Sequence, residues 1–248
     1  MLRAFADGRI FGVASGGGPA RVLALHGWGR TSKDFGAVLD GLDAVALDLP
    51  GFGASPPPPE PWGAAEYAAA VAPVVDELAA PVVVLGHSFG GRVAVHLAAG
   101  RPELVAGLVL TGAPLVRRPG ATARPPALGY RVGRWLHRRG VLGESRMEGL
   151  RQRYGSADYR AASGVMRAVH VRAVNETYEA QLAELACPVE LVWGDDDAEV
   201  PLAVAREVAR LVPAAHLEVV PGAGHHTPLT APGALRDAVS RRLSESGP

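Results

Sequence analysis

Ser88 lies in Val82-Val83-Val84-Leu85-Gly86-His87-Ser88-Phe89-Gly90-Gly91, where a β-branched run meets Gly-x-Ser-x-Gly and passes straight into helical sequence. A sharp strand-to-helix turn forces such a serine into a strained backbone conformation, and the glycines two residues before and after it keep side chains from colliding across the turn. The hydroxyl is thereby raised above the strand end, where it can attack a carbonyl carbon. The helix that follows directs its positive end and the Phe89 N–H toward the oxyanion that develops. A second donor is expected in the loop after the third strand, His26-Gly27-Trp28-Gly29, whose glycines let the main chain approach a ligand. The Trp28 N–H is the candidate, and the side chains of Trp28 and Phe89 are candidate substrate contacts. A serine hydroxyl is a poor nucleophile at neutral pH, so the chemistry also needs a base and a carboxylate to orient it, in the chain order Ser, acid, His.

The elements that must hold these groups follow from hydrophobic patterning. Short apolar runs at 22–26, 44–48, 82–86 and 108–111 alternate with helical stretches at 34–42, 63–79 and 89–99, the form of strand–helix units around a parallel sheet buried on both faces. Residues 2–5 and 10–14 read as an opening hairpin. After Cys187-Pro188 the alternation resumes, with strands at 189–193 and 217–220 and helices at 203–212 and 233–243. Between Pro114 and Ala186 the β-like runs vanish, and Arg-rich amphipathic segments carrying Trp135, Tyr154, Tyr159 and Tyr178 predict a helical insertion. The Pro-rich stretch 56–61 reads as a stiff surface loop.

Five segments carry a family resemblance: His26-Gly27-Trp28-Gly29, Asp48-Leu49-Pro50-Gly51-Phe52-Gly53-Ala54-Ser55, Gly86-His87-Ser88-Phe89-Gly90-Gly91, Trp193-Gly194-Asp195-Asp196-Asp197 and Gly222-Ala223-Gly224-His225. Over nearly its whole length the chain resembles the α/β-hydrolase superfamily, and within it the small capped carboxylesterases, including those that cleave esters of acyl carriers. The resemblance implies a mostly parallel central sheet with helices on both faces, formed by residues 1–113 and 187–248, under a helical cap formed by 114–186. It implies His225 as the base and, from the Gly-x-x-Asp spacing, Asp197 as the orienting acid. Asp195 and then Asp196 stand behind Asp197, and His226 is the neighbour that competes with His225. Thr111-Gly112-Ala113 offers no acid at the other strand end. The turn 48–55 is a structural signature without chemistry, and Thr230 stands where the family often has an acidic residue.

The implied activity is ester hydrolysis through an acyl-enzyme, with a small-molecule ester as substrate and no cofactor or metal. C–C bond hydrolases of ring-cleavage products share the triad but often carry a proline around 26–29, and a non-catalytic ligand receptor on the same fold is the other alternative. Epoxide hydrolases and dehalogenases need a carboxylate where this chain has Ser88. Equal numbers of basic and acidic residues, 25 each, argue against a nucleic-acid binder. The single cysteine, Cys187, excludes an intramolecular disulfide and a Cys-cluster metal site. No signal-peptide pattern and no apolar run long enough for a membrane span are present, so a cytoplasmic protein is expected. Charge is unevenly placed: residues 114–186 hold 13 Arg against 6 acids. That excess would draw an anionic substrate, an acidic carrier protein or a membrane surface to the site entrance.

Overall fold

The computed structural model describes residues 1–78, 81–117 and 128–245. The aliphatic runs become β1 (Leu2–Phe5), β2 (Ile10–Ser15), β3 (Val22–Leu25), β4 (Ala44–Asp48), β5 (Val82–His87), β6 (Val105–Thr111), β7 (Val189–Gly194) and β8 (Ala215–Val220). Among the described residues they make one eight-stranded sheet in the order β1-β2-β4-β3-β5-β6-β7-β8. The opening hairpin is antiparallel and joins β4 antiparallel; every later pairing is parallel. The chain steps outward from β3 to β4 and then back past β3 to β5. The crevice at the carboxyl ends of β3 and β5 is therefore the point where strand order reverses and sites in such sheets form. Register pairs Leu25 with Gly86 and His87 with Thr111, so the loops after β3, β5 and β6 emerge side by side.

A parallel sheet must be covered on both faces, and alternate strand residues feed two cores. Leu23, Leu25, Val45, Leu47, Val84, Leu108, Leu191 and Trp193 belong to the larger one. Over it lie α2 (Ala64–Asp76), α3 (Phe89–Gly100), α8 (Glu179–Ala183) and α9 (Leu202–Leu211). Val22, Ala24, Ala46, Val83, Leu85, Val109 and Val192 face the other way, against α1 (Gly36–Leu39) and α11 (Pro232–Glu245). Glu190, a carboxylate on buried β7, is held by Arg241 at 3.0 Å and Arg242 at 3.1 Å, which ties α11 to the sheet.

Between β6 and β7 the described residues contain helices and no strand: α4 (Leu128–Arg138), α5 (Glu144–Tyr154), α6 (Ala157–Ala161), α7 (Gly164–Ala173) and then α8. Residues 118–127 of the expected insertion, with Arg118 and Arg124, lie outside the described residues. This segment is tied to the rest of the chain by polar contacts: Arg92 Nη1 donates to the Ala173 carbonyl at 2.6 Å, Arg172 pairs with Glu66 at 2.7 Å, and Glu176 accepts the Ala64 N–H at 3.1 Å. The short α10 (Thr227–Thr230) follows β8.

Most boundaries lie within two residues of the sequence reading, and three differences have a physical reason. The helix expected over 34–42 is a 3-10 turn, Ser32–Phe35, followed by the single turn of α1, and it stops before Gly41, whose φ of +74° is left-handed. The strand expected from Leu108 starts at Val105, because pairing with β5 carries Gly107 into the ladder despite its weak strand preference. α2 ends at Asp76 with Pro73 inside it, and Ala79, the expected end, lies outside the described residues.

Candidate active site

Ser88 stands between β5 and α3 with φ +50° and ψ −112°, a combination that only glycine adopts without strain. The turn is over-determined from below. The Ser88 N–H donates to the Thr111 carbonyl at 2.9 Å and the Gly90 N–H to the His26 carbonyl at 3.0 Å. A Cβ on Gly90 would overlap the Leu25 carbonyl, and one on Gly86 would lie 2.6 Å from the Gly91 Cα, so the strand–turn–helix packing excludes side chains at both positions. The amides of Trp28 and Phe89 donate to no acceptor among the described residues. Both border the Ser88 cavity, and two free N–H groups beside a serine are what an oxyanion needs.

The acid and the imidazole come from the loops after β7 and β8, which are joined along their length. Asp195 Oδ1 accepts the Gly222 N–H at 2.7 Å, the Asp196 N–H donates to the Ala223 carbonyl at 3.1 Å, and the Trp193 indole donates to the Val200 carbonyl at 2.8 Å. Asp197 is thereby turned inward and buried. Its Oδ1 accepts the N–H groups of Glu199 at 2.9 Å and Val200 at 2.8 Å, and its Oδ2 meets His225 Nδ1 at 2.9 Å. A carboxylate can only accept, so Nδ1 carries the proton and Nε2 is left with its lone pair toward the cavity. Gly112, with φ +57°, makes room: a Cβ there would lie 3.0 Å from the His225 ring. The three-residue run of acids is thus divided by geometry. Asp195 braces a turn, and Asp197 alone of the three contacts an imidazole among the described residues.

Burial by itself would lower the His225 pKa; the hydrogen bond and charge of Asp197, with Glu199 and Asp158, outweigh it and raise the value above 6.5. Glu199 Oε2 lies 3.6 Å from His225 Nε2, the nitrogen that does not face Asp197. His87 is buried between its neighbours, and that burial, with the charge of His225, pushes it down to about 3. It therefore stays neutral. Its Nε2–H donates to the His225 carbonyl at 2.9 Å, fastening the loop that carries the imidazole to the residue preceding Ser88. His26 is also buried and structural: Nδ1–H donates to the Gly27 carbonyl at 2.7 Å and Nε2 accepts the Leu49 N–H at 3.0 Å. The Asp48 carboxylate accepts the Ser32 and Ala54 N–H groups, both at 2.8 Å, so the 48–55 turn organises backbone rather than chemistry.

Ser88, His225, Trp28 and Phe89 line one cavity of about 240 Å³ together with His170 and Glu199. Among the described residues no direct hydrogen bond joins the Ser88 hydroxyl to His225; such contacts often close only around a substrate. Trp28 stacks edge-on against Phe52 at 5.0 Å and Phe89 at 5.5 Å, and packs on His170 at 4.8 Å. A larger cavity of about 460 Å³, walled by Tyr130, Tyr154 and Tyr159, shares His170 and Val174 with the first. His170 and Asp158 reach the site without any sequence signal, because α6 and α7 fold back from far along the chain, whereas Arg92 stands on α3 one turn past Ser88. Among the described residues no group of three or more His, Cys, Asp and Glu side chains is placed to hold a metal ion, and no helix is long and apolar enough to cross a membrane.

A model of the alpha/beta hydrolase family matches residues 22–238. The chain belongs to that family. Proteins similar to it carry names from more than one reaction class. Lipase LipV of Mycobacterium tuberculosis is 47% identical over 97 residues, which are 38% of this chain and 37% of that protein. The chain thus spans little more than a third of LipV. The 2-hydroxy-6-oxononadienedioate/2-hydroxy-6-oxononatrienedioate hydrolase of Pseudomonas sp is 28% identical over 250 residues, covering 88% of this chain and 86% of that one. The solved structure of a thermophilic esterase from Thermogutta terrifontis superposes with a TM-score of 0.70 at 24% identity over 100% of both chains, a likeness of fold. The α/β-hydrolase fold expected from the sequence is the one the chain adopts.

Proposed function

We propose that the protein is a serine esterase that cleaves a carboxylic ester through an acyl-enzyme, with Ser88 as nucleophile, His225 as base and Asp197 as the acid that orients it. The observation that carries this reading is the Asp197–His225 hydrogen bond of 2.9 Å set beside Ser88 in one cavity. His225 Nε2 takes the hydroxyl proton as Ser88 Oγ attacks the carbonyl carbon, while the Trp28 and Phe89 amides hold the oxyanion. The imidazolium then protonates the leaving alcohol. Water, deprotonated by the same nitrogen, attacks the acyl-enzyme and releases the acid. On this reading residues 1–113 and 187–248 form the hydrolase core, and 114–186 form a cap whose Tyr-lined cavity takes the longer arm of the substrate. The wall of the Ser88 cavity carries charge of both signs, Asp158 and Glu199 with Arg92.

The Pseudomonas relative supports a second reading, C–C bond hydrolysis of a ring-cleavage product, at the same serine. The two are separated by assaying the protein against p-nitrophenyl esters of graded chain length and against a 2-hydroxy-6-oxo-dienoate, with mass spectrometry for an acyl adduct on Ser88. Ester turnover with a labelled Ser88 supports the esterase. Turnover of the dienoate alone selects the second reading, and turnover of neither removes both.

The base reading carries a pH signature. A base acts when neutral, so kcat/KM falls as pH drops through the raised His225 pKa, along an acid limb centred above 6.5. Glu199→Gln removes a negative charge 3.6 Å from Nε2 and moves that limb to lower pH. With Glu199 largely exposed, a pair of this kind is worth ~0.2–1 kcal/mol, so kcat/KM at the foot of the limb should rise roughly 1.5- to 5-fold while the plateau stays put. A pH profile of both proteins checks it.

A further inference from the structure

α4 carries no acidic residue and has two different faces. Gly133 packs under Leu150 and Leu142, and the Tyr130 ring meets Tyr154 at 6.3 Å, so one face is occupied by α5. On the other face Leu128, Val132 and Trp135 recur at the helical spacing of four and three residues, and they are 72%, 48% and 52% exposed. Val141 continues the ridge at 69%. Arg131, Arg134 and Arg138 stand exposed beside it without an ion pair among the described residues, and Arg139 lies over the Trp135 ring at 4.3 Å. Elsewhere in the helical segment Arg151 and Arg167 are paired with Glu148 and Arg172 with Glu66 and Glu176, while Arg153 lies over the Tyr154 ring and Arg160 donates to the Gly155 carbonyl. On α4, three arginines without an ion pair among the described residues thus stand beside protruding apolar side chains.

We propose that the outer face of α4 docks on an anionic lipid surface, with the helix lying in the plane of the interface. The partner must be apolar in one layer and negatively charged in the layer directly above it, along the ~16 Å of an eleven-residue helix. A bilayer rich in acidic headgroups offers that at every point: the Leu, Val and Trp side chains enter the acyl boundary while the guanidinium groups stay at phosphate depth. A protein partner would need a groove and carboxylates in matching register. Docking would also turn the Tyr130 side of α4, which walls the 460 Å³ cavity, into the roof between lipid and site.

The test is flotation of the full chain with phosphatidylcholine vesicles made with and without phosphatidylglycerol. Partitioning should be about tenfold or more stronger with phosphatidylglycerol, and should fall with added salt. Arg131→Gln/Arg134→Gln/Arg138→Gln and Val132→Ser/Trp135→Ser should each lose at least about tenfold of it, with thermal unfolding and hydrolysis of a soluble ester unchanged. Equal partitioning to both vesicles, or none, overturns the proposal. So does a dimer in light scattering that the apolar variant dissolves, which would make the ridge a contact between copies. Binding to poly-L-glutamate without vesicle binding would place an acidic protein there instead. Apart from the ester-hydrolysis control, none of these readouts depends on the esterase reading, so either can fail alone.

Discussion

Ser88→Ala is expected to lower kcat on any ester the protein turns over by on the order of 10⁶-fold, with KM little changed. The residue supplies the only hydroxyl at the strand–helix turn that faces the cavity beside His225, and an alanine leaves the imidazole and the two free amides nothing but water to activate. Residual activity over the uncatalysed reaction would come from those amides and from binding. Ser88→Gly separates chemistry from strain. It should be equally inactive, yet more resistant to heat or urea than Ser88→Ala, because φ +50° with ψ −112° costs an L-residue about 1–3 kcal/mol that glycine does not incur. A Ser88→Ala protein retaining more than about a hundredth of kcat would move the nucleophile elsewhere.

Asp197→Asn is expected to lower kcat about 10⁴-fold without unfolding the protein. Asp197 Oδ1 accepts two backbone N–H groups, from Glu199 and Val200, so an asparagine must point its carbonyl oxygen there. Its NH₂ then faces His225 Nδ1 and donates to it. The imidazole proton is driven to Nε2, where the lone pair that would take the Ser88 proton used to be. Asp195→Asn, by contrast, can still accept the Gly222 N–H, and it should keep kcat within a few-fold, as should Asp196→Asn. Steady-state rates of the three variants side by side decide which carboxylate orients the imidazole.

The strands were legible because each is a short aliphatic run bounded by Gly, Pro or a charged turn, and Ser88 because strand, glycines and helix coincide on one segment. The family's Gly-x-x-Asp pattern set Asp197 ahead of Asp195, but the physical difference lies in hydrogen bonds that no pattern shows: one aspartate caps the neighbouring loop and the other caps its own while meeting His225. His170 fell within the insertion and drew no role from sequence, yet its ring packs on Trp28 at 4.8 Å and divides the two cavities. Its position depends on how α7 is bound to the N-terminus of α2 and to Arg92, which are contacts between segments more than eighty residues apart. His87 was read as a motif residue, and its bond to the His225 carbonyl is visible only when β5 and the loop after β8 lie side by side. Glu199 lies two residues past Asp197 with no spacing that marks it, and only the fold puts its carboxylate against Nε2.

β6 and β7 are parallel neighbours, so the chain leaving Thr111 at one end of the sheet must return to Val189 at the other. The short α8, packed in the larger core, lies on that return path, and the residues after it lead into β7. The residues from Pro114 to Tyr178 are then free of any duty to the sheet's connectivity. On the proposed reading, a laboratory chimera joining this sheet to another member's stretch would inherit its appetite while keeping its own cutting edge, provided that stretch replaces what Leu115, Val169 and Tyr178 bury in the larger core.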